Sequence, residues 1–417
     1  MPSIEGLPAR RAALQMLDSV LRRGSTLEAA PRNSRNLAPN DQALAIAIAG
    51  EALRRLPDLD AWIDGATRNR LPDDSKARMV LRLALAQKVG LKTPEHALVA
   101  TALPLVDGGP RRLVHGVLGT LLRRGLPNSD APRLPDAVEL RWHEAWGGET
   151  VEAARRQIAT RPALDLSFAD ESAARSFAEA SGGVSLAARH VRLNSSAVPE
   201  IPGFEAGGWW VQDLAASIPA RLIPADAKDV LDLCAAPGGK TMQLAAAGHS
   251  VTSLDNSESR LARLRENLER TRLTAELIVA DALNWTPKRL YDAILLDAPC
   301  SATGTFRRHP EVLYRARPAI IRDNADLQAR LIRRAADQVR PGGTLIYSVC
   351  SLEPQEGERI VSAFLSEHSG FELRPASDPP RGISPAPEGW VRIVPGMLES
   401  AGGLDGFFVA RLVRRGE

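Results

Sequence analysis

The stretch Val230–Gly248 reads VLDLCAAPGGKTMQLAAAG. It starts as an apolar run typical of a buried strand, turns at Pro-Gly-Gly, and continues with a helical pattern. Gly238 and Gly239 permit backbone conformations that other residues avoid. A Walker loop would need glycine where Cys234 stands, and the dinucleotide pattern G-x-G-x-x-G is also missing. The stretch therefore predicts a strand–loop–helix unit of an α/β sheet, whose helix start could bind the carboxylate of an amino-acid-like ligand.

Strand and helix patterns alternate from Trp209 onward, which predicts a doubly wound α/β sheet. The predicted strands are Asp229–Leu233, Ser250–Leu254, Glu276–Val279, Ala293–Leu296, Thr344–Val349, Phe371–Pro375 and Phe407–Leu412. The predicted helices are Gly239–Ala247, Ser257–Arg272, Ala319–Val339 and Glu356–Glu367.

The first third of the chain has a different pattern. Residues 8–125 show helical periodicity without strand-like alternation, which predicts an all-α bundle of about six helices. Pro127–Pro135 has the composition of a loop or linker, and residues 137–205 mix helices with short strands over Ala163–Phe168 and Ser185–Leu193. We therefore expect a multidomain chain with three parts. They are a helical domain over 1–126, a linker and small α+β subdomain over 127–205, and an α/β domain over 206–417.

Acidic residues follow three successive strands of the predicted sheet. Asp255 ends the second strand, where a carboxylate suits ribose hydroxyls. Asp281 follows the third and could accept a hydrogen bond from an adenine amino group, while Asp297 ends the fourth. Any one of them could simply cap a loop. Their serial placement favours a site for S-adenosylmethionine.

The chain has three cysteines, and each lies in a segment with the pattern of an active site. Cys234 lies in the loop already quoted, Cys300 in LLDAPCSATGT and Cys350 in LIYSVCSLEP. The last two come just after predicted strands, where sheet enzymes place reactive groups. Without a C-x-x-C pair, a zinc site or a disulfide framework is not indicated. We therefore expect reduced thiols, no metal, and a cytoplasmic location.

Charge is unevenly distributed along the chain. The net charge is +3, yet the first 140 residues carry 20 basic and 15 acidic side chains. This excess favours an anionic partner for the helical part. The longest apolar run, Ala43–Ala49, is too short to cross a bilayer, and the first twenty residues lack the apolar core of a signal peptide. We expect no membrane association.

Three segments in order carry a family resemblance. LDLCAAPGGKT, DAPCSATGTFRRHPE and YSVCSLEPQEGE resemble the NOP/Sun family of RNA cytosine-5 methyltransferases. Residues 8–125, including VHGVLGTLLRRG at Val114–Gly125, resemble the RNA-binding bundle NusB and point to the RsmB (Sun) branch. The resemblance implies a class I, Rossmann-like catalytic domain, S-adenosylmethionine as cofactor, a cytosine of 16S ribosomal RNA as substrate, and a monomer. The cofactor positions it implies are Cys234, Ala235, Ala236, Pro237, Gly238, Gly239, Lys240, Asp255, Asp281 and Asp297.

The chemistry of carbon 5 explains why such an enzyme needs thiols. A thiolate that adds to carbon 6 of cytosine makes carbon 5 nucleophilic enough to accept a methyl group. Both Cys300 and Cys350 are plausible from their positions, because DNA cytosine methyltransferases use a Pro-Cys thiol. Resemblance to the RNA enzymes implies Cys350 as nucleophile and Cys300 in product release. Asp297 is suited to contact N3.

Arg307, Arg308 and His309 follow the Pro-Cys segment and are predicted to contact substrate phosphates, although an arginine-rich surface turn would look similar. Two other functions stay open at this point. The same chemistry could act on another RNA such as transfer RNA, or the chain could be a non-catalytic RNA-binding or antitermination factor. The retention of both Cys300 and Cys350 argues against the second alternative.

Overall fold

The computed structural model describes residues 5–29, 37–127, 131–194, 198–376 and 379–416. The chain divides into two compact units, one formed by Met1–Arg161 with Phe306–Ala316, the other by Pro162–Thr305 with Arg317–Glu417. The boundaries expected after residues 126 and 205 do not coincide with this division, and they remain predictions. Residues 128–130 of the predicted linker lie outside the described residues.

The first unit contains the six helices that the sequence predicts. Helix α4 is its centre, with an uninterrupted buried run over residues 77–87, and it contacts α1, α2, α3, α5 and α6. Ser75 caps α4 by accepting a hydrogen bond from the backbone N–H of Arg78, and Gly24 ends α1 with φ 68°. The bounds are α1 (Leu7–Arg23), α2 (Pro39–Arg54), α3 (Leu56–Gly65), α4 (Lys76–Gly90), α5 (Glu95–Ala102) and α6 (Gly108–Arg124).

Helices α7 (Asp136–Trp146) and α8 (Gly148–Ala159) complete this unit, together with a segment from the second half of the sequence. Phe306 is fully buried against Trp142, with ring centroids 5.3 Å apart. Further along the segment, the Tyr314 hydroxyl donates to the Leu53 carbonyl over 2.7 Å. Residues 306–316, which include the short helix α13 (Val312–Arg315), therefore belong with the helical unit, although they directly follow the Pro-Cys segment in sequence.

The second unit is built on a mixed sheet, in which we describe eight strands. Their order is β10-β11-β8-β7-β4-β5-β6, and β9 also pairs with β11. The strands from β6 to β8 are parallel, and β11 is antiparallel to β8. The bounds are β4 (Asp229–Leu233), β5 (Ser250–Asp255), β6 (Glu276–Val279), β7 (Tyr291–Asp297), β8 (Val339–Val349), β9 (Phe371–Arg374), β10 (Val391–Ile393) and β11 (Phe407–Arg414).

Helices cover both faces of this sheet, as the doubly wound pattern predicts. Side chains alternate along β7, where Ile294 and Leu296 join one apolar cluster and Leu295 joins the other. Helices α14 (Pro318–Ala336) and α15 (Glu358–Glu367) pack into the first cluster, while α10 (Leu214–Arg221) and α11 (Gly239–Ala246) pack into the second. Helix α12 spans Glu258–Thr271.

A smaller three-stranded sheet of order β2-β1-β3 precedes the main one in sequence. Only half of the strand predicted over Ser185–Leu193 forms, because Arg189 has φ 56° and interrupts extended backbone just before β2. The elements are β1 (Leu164–Ser167), α9 (Glu171–Ser181), β2 (His190–Leu193) and β3 (Trp210–Val211). No helix in the described part of the chain is long and apolar enough to cross a membrane.

Candidate active site

The cofactor loop leaves β4 at the point where the sheet order switches direction. Strand β4 pairs with β5 on one side and β7 on the other, and ligands of doubly wound sheets bind at such a switch point. Cys234 has φ 60° and Gly238 has φ 108°. A Cβ at Gly238 would lie 2.1 Å from Leu264 Cδ1, so this glycine lets the loop pack against α12. The predicted strand–loop–helix unit is confirmed.

Asp255 ends β5 and holds the loop in place. Its side chain is buried, and its carboxylate accepts hydrogen bonds from the backbone N–H groups of Ala236 (3.2 Å) and Ser257 (2.9 Å). Arg260 adds an ion pair at 2.8 Å. The structure thus joins Asp255 to the cofactor loop, and its contact with ribose stays a prediction.

Asp281 lies beyond the end of β6 and is exposed. Its carboxylate accepts from the Leu283 backbone N–H at 3.0 Å and from Asn284 Nδ2 at 2.6 Å. Both contacts are local, so Asp281 stabilises its own turn. Recognition of an adenine amino group by this carboxylate stays a prediction.

A buried acid that the sequence analysis did not single out lies beneath the loop. Asp232 in β4 is 1% exposed, and Thr241 donates to its Oδ2 at 2.6 Å. Burial raises the pKa of Asp232 to about 7, despite the hydrogen bond from Thr241. Its Oδ1 has no partner among the described residues. The alternation of β4 could have indicated an inward-facing carboxylate two residues before Cys234.

The thiol of Cys234 is buried in the cofactor loop. Burial, reinforced by the negative charge of Asp255, raises its pKa to about 12. A thiol with such a pKa is protonated at neutral pH and is a poor nucleophile. Cys234 is therefore not the nucleophile of this site; it forms part of the loop that follows β4.

Lys240 and Asp297 form the charged centre of the site. Lys240 Nζ lies 2.7 Å from Asp297 Oδ2, and Ser348 donates to Asp297 Oδ1 over 2.8 Å. Burial alone would lower the pKa of Lys240, but the charge and hydrogen bond of Asp297, with a further contribution from Cys350, raise it. Lys240 is therefore a cation held in place by Asp297.

The structure brings Cys300 and Cys350 together. Their sulfur atoms lie 3.6 Å apart, at the carboxyl ends of neighbouring strands β7 and β8. The hydrogen bond to Cys350, together with burial, raises the pKa of Cys300 well above its ordinary value. Cys300 thus keeps its proton at neutral pH.

Glu356 is a second residue that the sequence analysis did not single out. It is fully buried and accepts hydrogen bonds from the Ser301 backbone N–H (2.8 Å) and from the hydroxyls of Ser301 and Ser351. Burial raises its pKa despite these hydrogen bonds. The recurrence of Cys-Ser at 300–301 and 350–351 was a visible signal, but it did not indicate a shared acceptor.

The three residues predicted to contact RNA phosphates lie in the segment that packs with the helical unit. Arg307 is 3% exposed, Arg308 is exposed, and His309 Nδ1 lies 3.8 Å from Glu311 Oε1. As placed here, Arg308 is the best situated of the three for an external phosphate. The contact stays a prediction for all of them. Among the described residues, no group of three or more His, Cys, Asp or Glu side chains could hold a metal ion.

Comparisons with known proteins match both parts of the chain. The family described as 16S rRNA methyltransferase RsmB/F matches residues 219–413, and the NusB family matches residues 7–123. The chain is 32% identical to Ribosomal RNA small subunit methyltransferase B of Erwinia tasmaniensis, over 97% of this chain and 98% of that protein. The protein of the same name from Vibrio vulnificus is 31% identical, over 97% of this chain and 99% of its own.

Solved structures support the fold. The crystal structure of PH0851 superposes with a TM-score of 0.75 at 22% identity and covers 99% of both chains. NSun6 from Pyrococcus horikoshii, solved with SFG, gives a TM-score of 0.60 at 18% identity, over 68% of this chain and 99% of that one. With matches along nearly its whole length, the chain belongs to the RsmB/F family of 16S rRNA methyltransferases and carries a NusB family domain.

Proposed function

We propose that this chain methylates carbon 5 of a cytosine in 16S ribosomal RNA, with S-adenosylmethionine as methyl donor and a covalent adduct on Cys350. The observation that carries the proposal is the pair of thiols 3.6 Å apart beside the Lys240–Asp297 ion pair. Methylation of an oxygen or an exocyclic nitrogen has no need for a second thiol, whereas carbon 5 chemistry uses one thiol to attack and needs help to release it. The names of the relatives support ribosomal RNA over transfer RNA as substrate.

The residues at the switch point fit the cofactor. The loop over residues 234–238 leads into α11, so the first amides of that helix are available to a carboxylate. Asp255 and Asp281 follow the next two strands, and Asp232 supplies a buried oxygen without a partner in the described structure. When bound there, S-adenosylmethionine would supply an electrophilic methyl group.

Attack on the base is assigned to Cys350. Its thiolate would form a bond to carbon 6 of the cytosine, and the electron pair of the double bond would move to carbon 5. Lys240, held at 2.7 Å by Asp297, would orient the substrate or the cofactor beside this thiol. Asp297, whose other oxygen accepts from Ser348, is assigned to the contact with the ring near N3.

Release of the product is assigned to Cys300. After methyl transfer, a base must remove the carbon 5 proton so that its electrons restore the double bond and break the bond from carbon 6 to Cys350. Because its raised pKa keeps Cys300 protonated at neutral pH, its proton would pass to the departing Cys350 sulfur, 3.6 Å away, and Cys300 would take the carbon 5 proton in its place. This difference between neighbouring thiols supports a division of labour with Cys350 attacking first.

The helical unit is assigned to RNA positioning. Its family match is to NusB, and its sequence carries the excess of positive charge. Basic side chains position nucleic acids through phosphate contacts that carry no sequence information. We also propose the three domains expected from the sequence, which span residues 1–126, 127–205 and 206–417.

Bisulfite mapping tests the reaction and its substrate together. 16S ribosomal RNA from cells with and without the gene would be compared position by position, and purified protein would be added back to the unmodified RNA. We expect one cytosine to be protected only when the protein is present. If no cytosine of 16S RNA is protected and a cytosine of transfer RNA is protected instead, the substrate is transfer RNA.

A further inference from the structure

The two catalytic loops are joined through one buried carboxylate. Ser301 directly follows Cys300, Ser351 directly follows Cys350, and Glu356 accepts hydrogen bonds from both. Glu356 is fully buried, and its Oε1 accepts the Ser301 backbone N–H at 2.8 Å. A single side chain therefore fixes the residue next to each thiol.

Glu356 is itself held by the strand that carries Cys350. The Tyr347 hydroxyl donates to the Glu356 carbonyl over 2.6 Å from within β8, and both residues are fully buried. Because its backbone carbonyl is bonded to this strand, the Glu356 carboxylate is held beside both thiol-bearing segments. Charge-assisted hydrogen bonds to such an acceptor are stronger than those between neutral groups.

Three further hydrogen bonds join the two loops. Gly304 N donates to the Cys350 carbonyl at 3.0 Å, Leu352 N donates to Thr303 Oγ1 at 3.0 Å, and the hydroxyls of Ser301 and Ser351 lie 3.2 Å apart. The contacts to Glu356 differ from these because one side chain bonds to the residue that follows each thiol.

We propose that Glu356 is a positioning residue that sets the relative placement of Cys300 and Cys350, so that attack and release act on the same cytosine ring. This inference rests on the proposed function, because the two thiols would act at adjacent carbons. A shift of about 1 Å in a reacting group can lower the rate about 100-fold. Glu356 touches neither reacting carbon; it acts through Ser301 and Ser351.

The first test measures thiol placement without catalysis. Diamide, a thiol oxidant, would convert Cys300 and Cys350 of the full-length protein to a disulfide while it is itself reduced to the hydrazine. Peptide mass spectrometry would follow the rate. We expect rapid cross-linking in the wild type, because the sulfur atoms are 3.6 Å apart, and at least tenfold slower cross-linking in Glu356→Ala. Glu356→Gln, which keeps an acceptor for the Ser301 N–H, should give an intermediate rate.

The second test measures turnover of the same variants on unmodified 16S RNA. We expect kcat to fall about 100-fold in Glu356→Ala. KM for RNA and the affinity for S-adenosylmethionine should stay within a factor of two, and Glu356→Gln should recover part of the loss. Asp165→Asn, in a buried ion pair elsewhere in the same unit, is the matched control for lost stability. It should lower Tm without changing cross-linking.

The outcomes separate the two proposals. If Glu356→Ala cross-links and turns over at the rates of the wild type, the positioning role is overturned. A lower Tm of Glu356→Ala with unchanged cross-linking would also overturn it. If Glu356→Ala fails to fold, Glu356→Gln and the double variant Ser301→Ala/Ser351→Ala answer the same question, and unchanged cross-linking in both would overturn the inference. A wild type that makes no 5-methylcytosine would contradict the proposed function, while diamide would still report on thiol placement.

Discussion

At the scale of single residues, the site distinguishes three thiols by their surroundings. Cys234 and Cys300 have raised pKa values, the first to about 12 through burial, the second through its hydrogen bond to Cys350 and burial. Cys350 lies near the cation of Lys240. The sequence showed that the thiols were special, but it could not rank them, because the ranking depends on burial and on a 3.6 Å contact between residues fifty positions apart.

Alkylation kinetics should reveal this ranking. With a substoichiometric amount of iodoacetamide at pH 7.5, we expect Cys350 to be labelled at least about tenfold faster than Cys300 or Cys234, because a raised pKa leaves less thiolate at that pH. Labelling of Cys300 should begin only at higher pH, since its thiolate forms above the ordinary range. Preferential labelling of Cys300 in peptide mass spectra would contradict the electrostatic account.

Asp255 provides a second test at this scale. Asp255→Ala should weaken S-adenosylmethionine binding by about 1–3 kcal/mol, the usual cost of an unmade hydrogen bond at a buried site. The loss combines the predicted ribose contact with the observed support of Ala236. Titration calorimetry on the folded variant measures it, with Asp229→Ala at the opposite end of the neighbouring strand as control. Equal affinity in Asp255→Ala and wild type would place the ribose elsewhere.

At the scale of elements, most strands and helices of the α/β unit could be predicted, because their hydrophobic periods are regular. Elements were missed where the local signal was weak. Helix α10 contains Pro219, and β10 is only three residues long. Strand β2 begins only at His190, because Arg189 has a positive φ that ends the extended backbone. Composition does not reveal such a backbone angle. Tertiary pairing decides such short elements.

The small sheet contains a buried ion pair that also bonds to the start of helix α10. Asp165 in β1 accepts from Arg192 at 2.6 and 2.7 Å and from the Leu214 backbone N–H at 2.9 Å. Although burial opposes ionisation, Arg192 and His190 hold the pKa of Asp165 well below its usual range. The resulting stability is present at neutral pH and is lost only as the pH falls below the ordinary aspartate pKa.

Removal of one partner should therefore be costly. Asp165→Ala should lower the free energy of unfolding by about 3–5 kcal/mol, because it leaves the Arg192 charge buried without its carboxylate. Glu367→Ala, which breaks an exposed pair with Arg333, should cost at most about 1 kcal/mol. Urea unfolding at pH 7 compares the two. Similar losses in both variants would show that the buried pair has no special role.

At the scale of the whole molecule, sequence order misled in one respect. Residues 306–316 follow the Pro-Cys segment, yet they pack with the helical unit through Phe306 and Tyr314. Periodicity cannot show that a short segment belongs to a distant part of the chain. A deletion of the helical bundle would expose these buried side chains, so point variants are the better probe of RNA binding.

Arg123 and Arg124 at the end of α6 are exposed and suit such a probe. If each neutralises one phosphate, changing both to glutamine should reduce the slope of log affinity against log salt by about 2 and weaken RNA binding. Affinity for S-adenosylmethionine should be unchanged. Exposed Arg263 and Arg265 on α12, changed in the same way, are the matched control. Filter binding at several salt concentrations gives the slopes, and equal slopes for the two pairs would remove the RNA role of this surface.

The most direct test of the account is trapping of the covalent intermediate on full-length 16S RNA with S-adenosylmethionine. Cys300→Ser should attack and transfer the methyl group but fail to release, so a protein–RNA adduct should accumulate on denaturing gels and disappear after nuclease treatment. Cys350→Ser should give neither adduct nor product, because a hydroxyl is a far weaker nucleophile. The opposite pattern, with the adduct in Cys350→Ser and none in Cys300→Ser, would contradict the assignment of the two thiols.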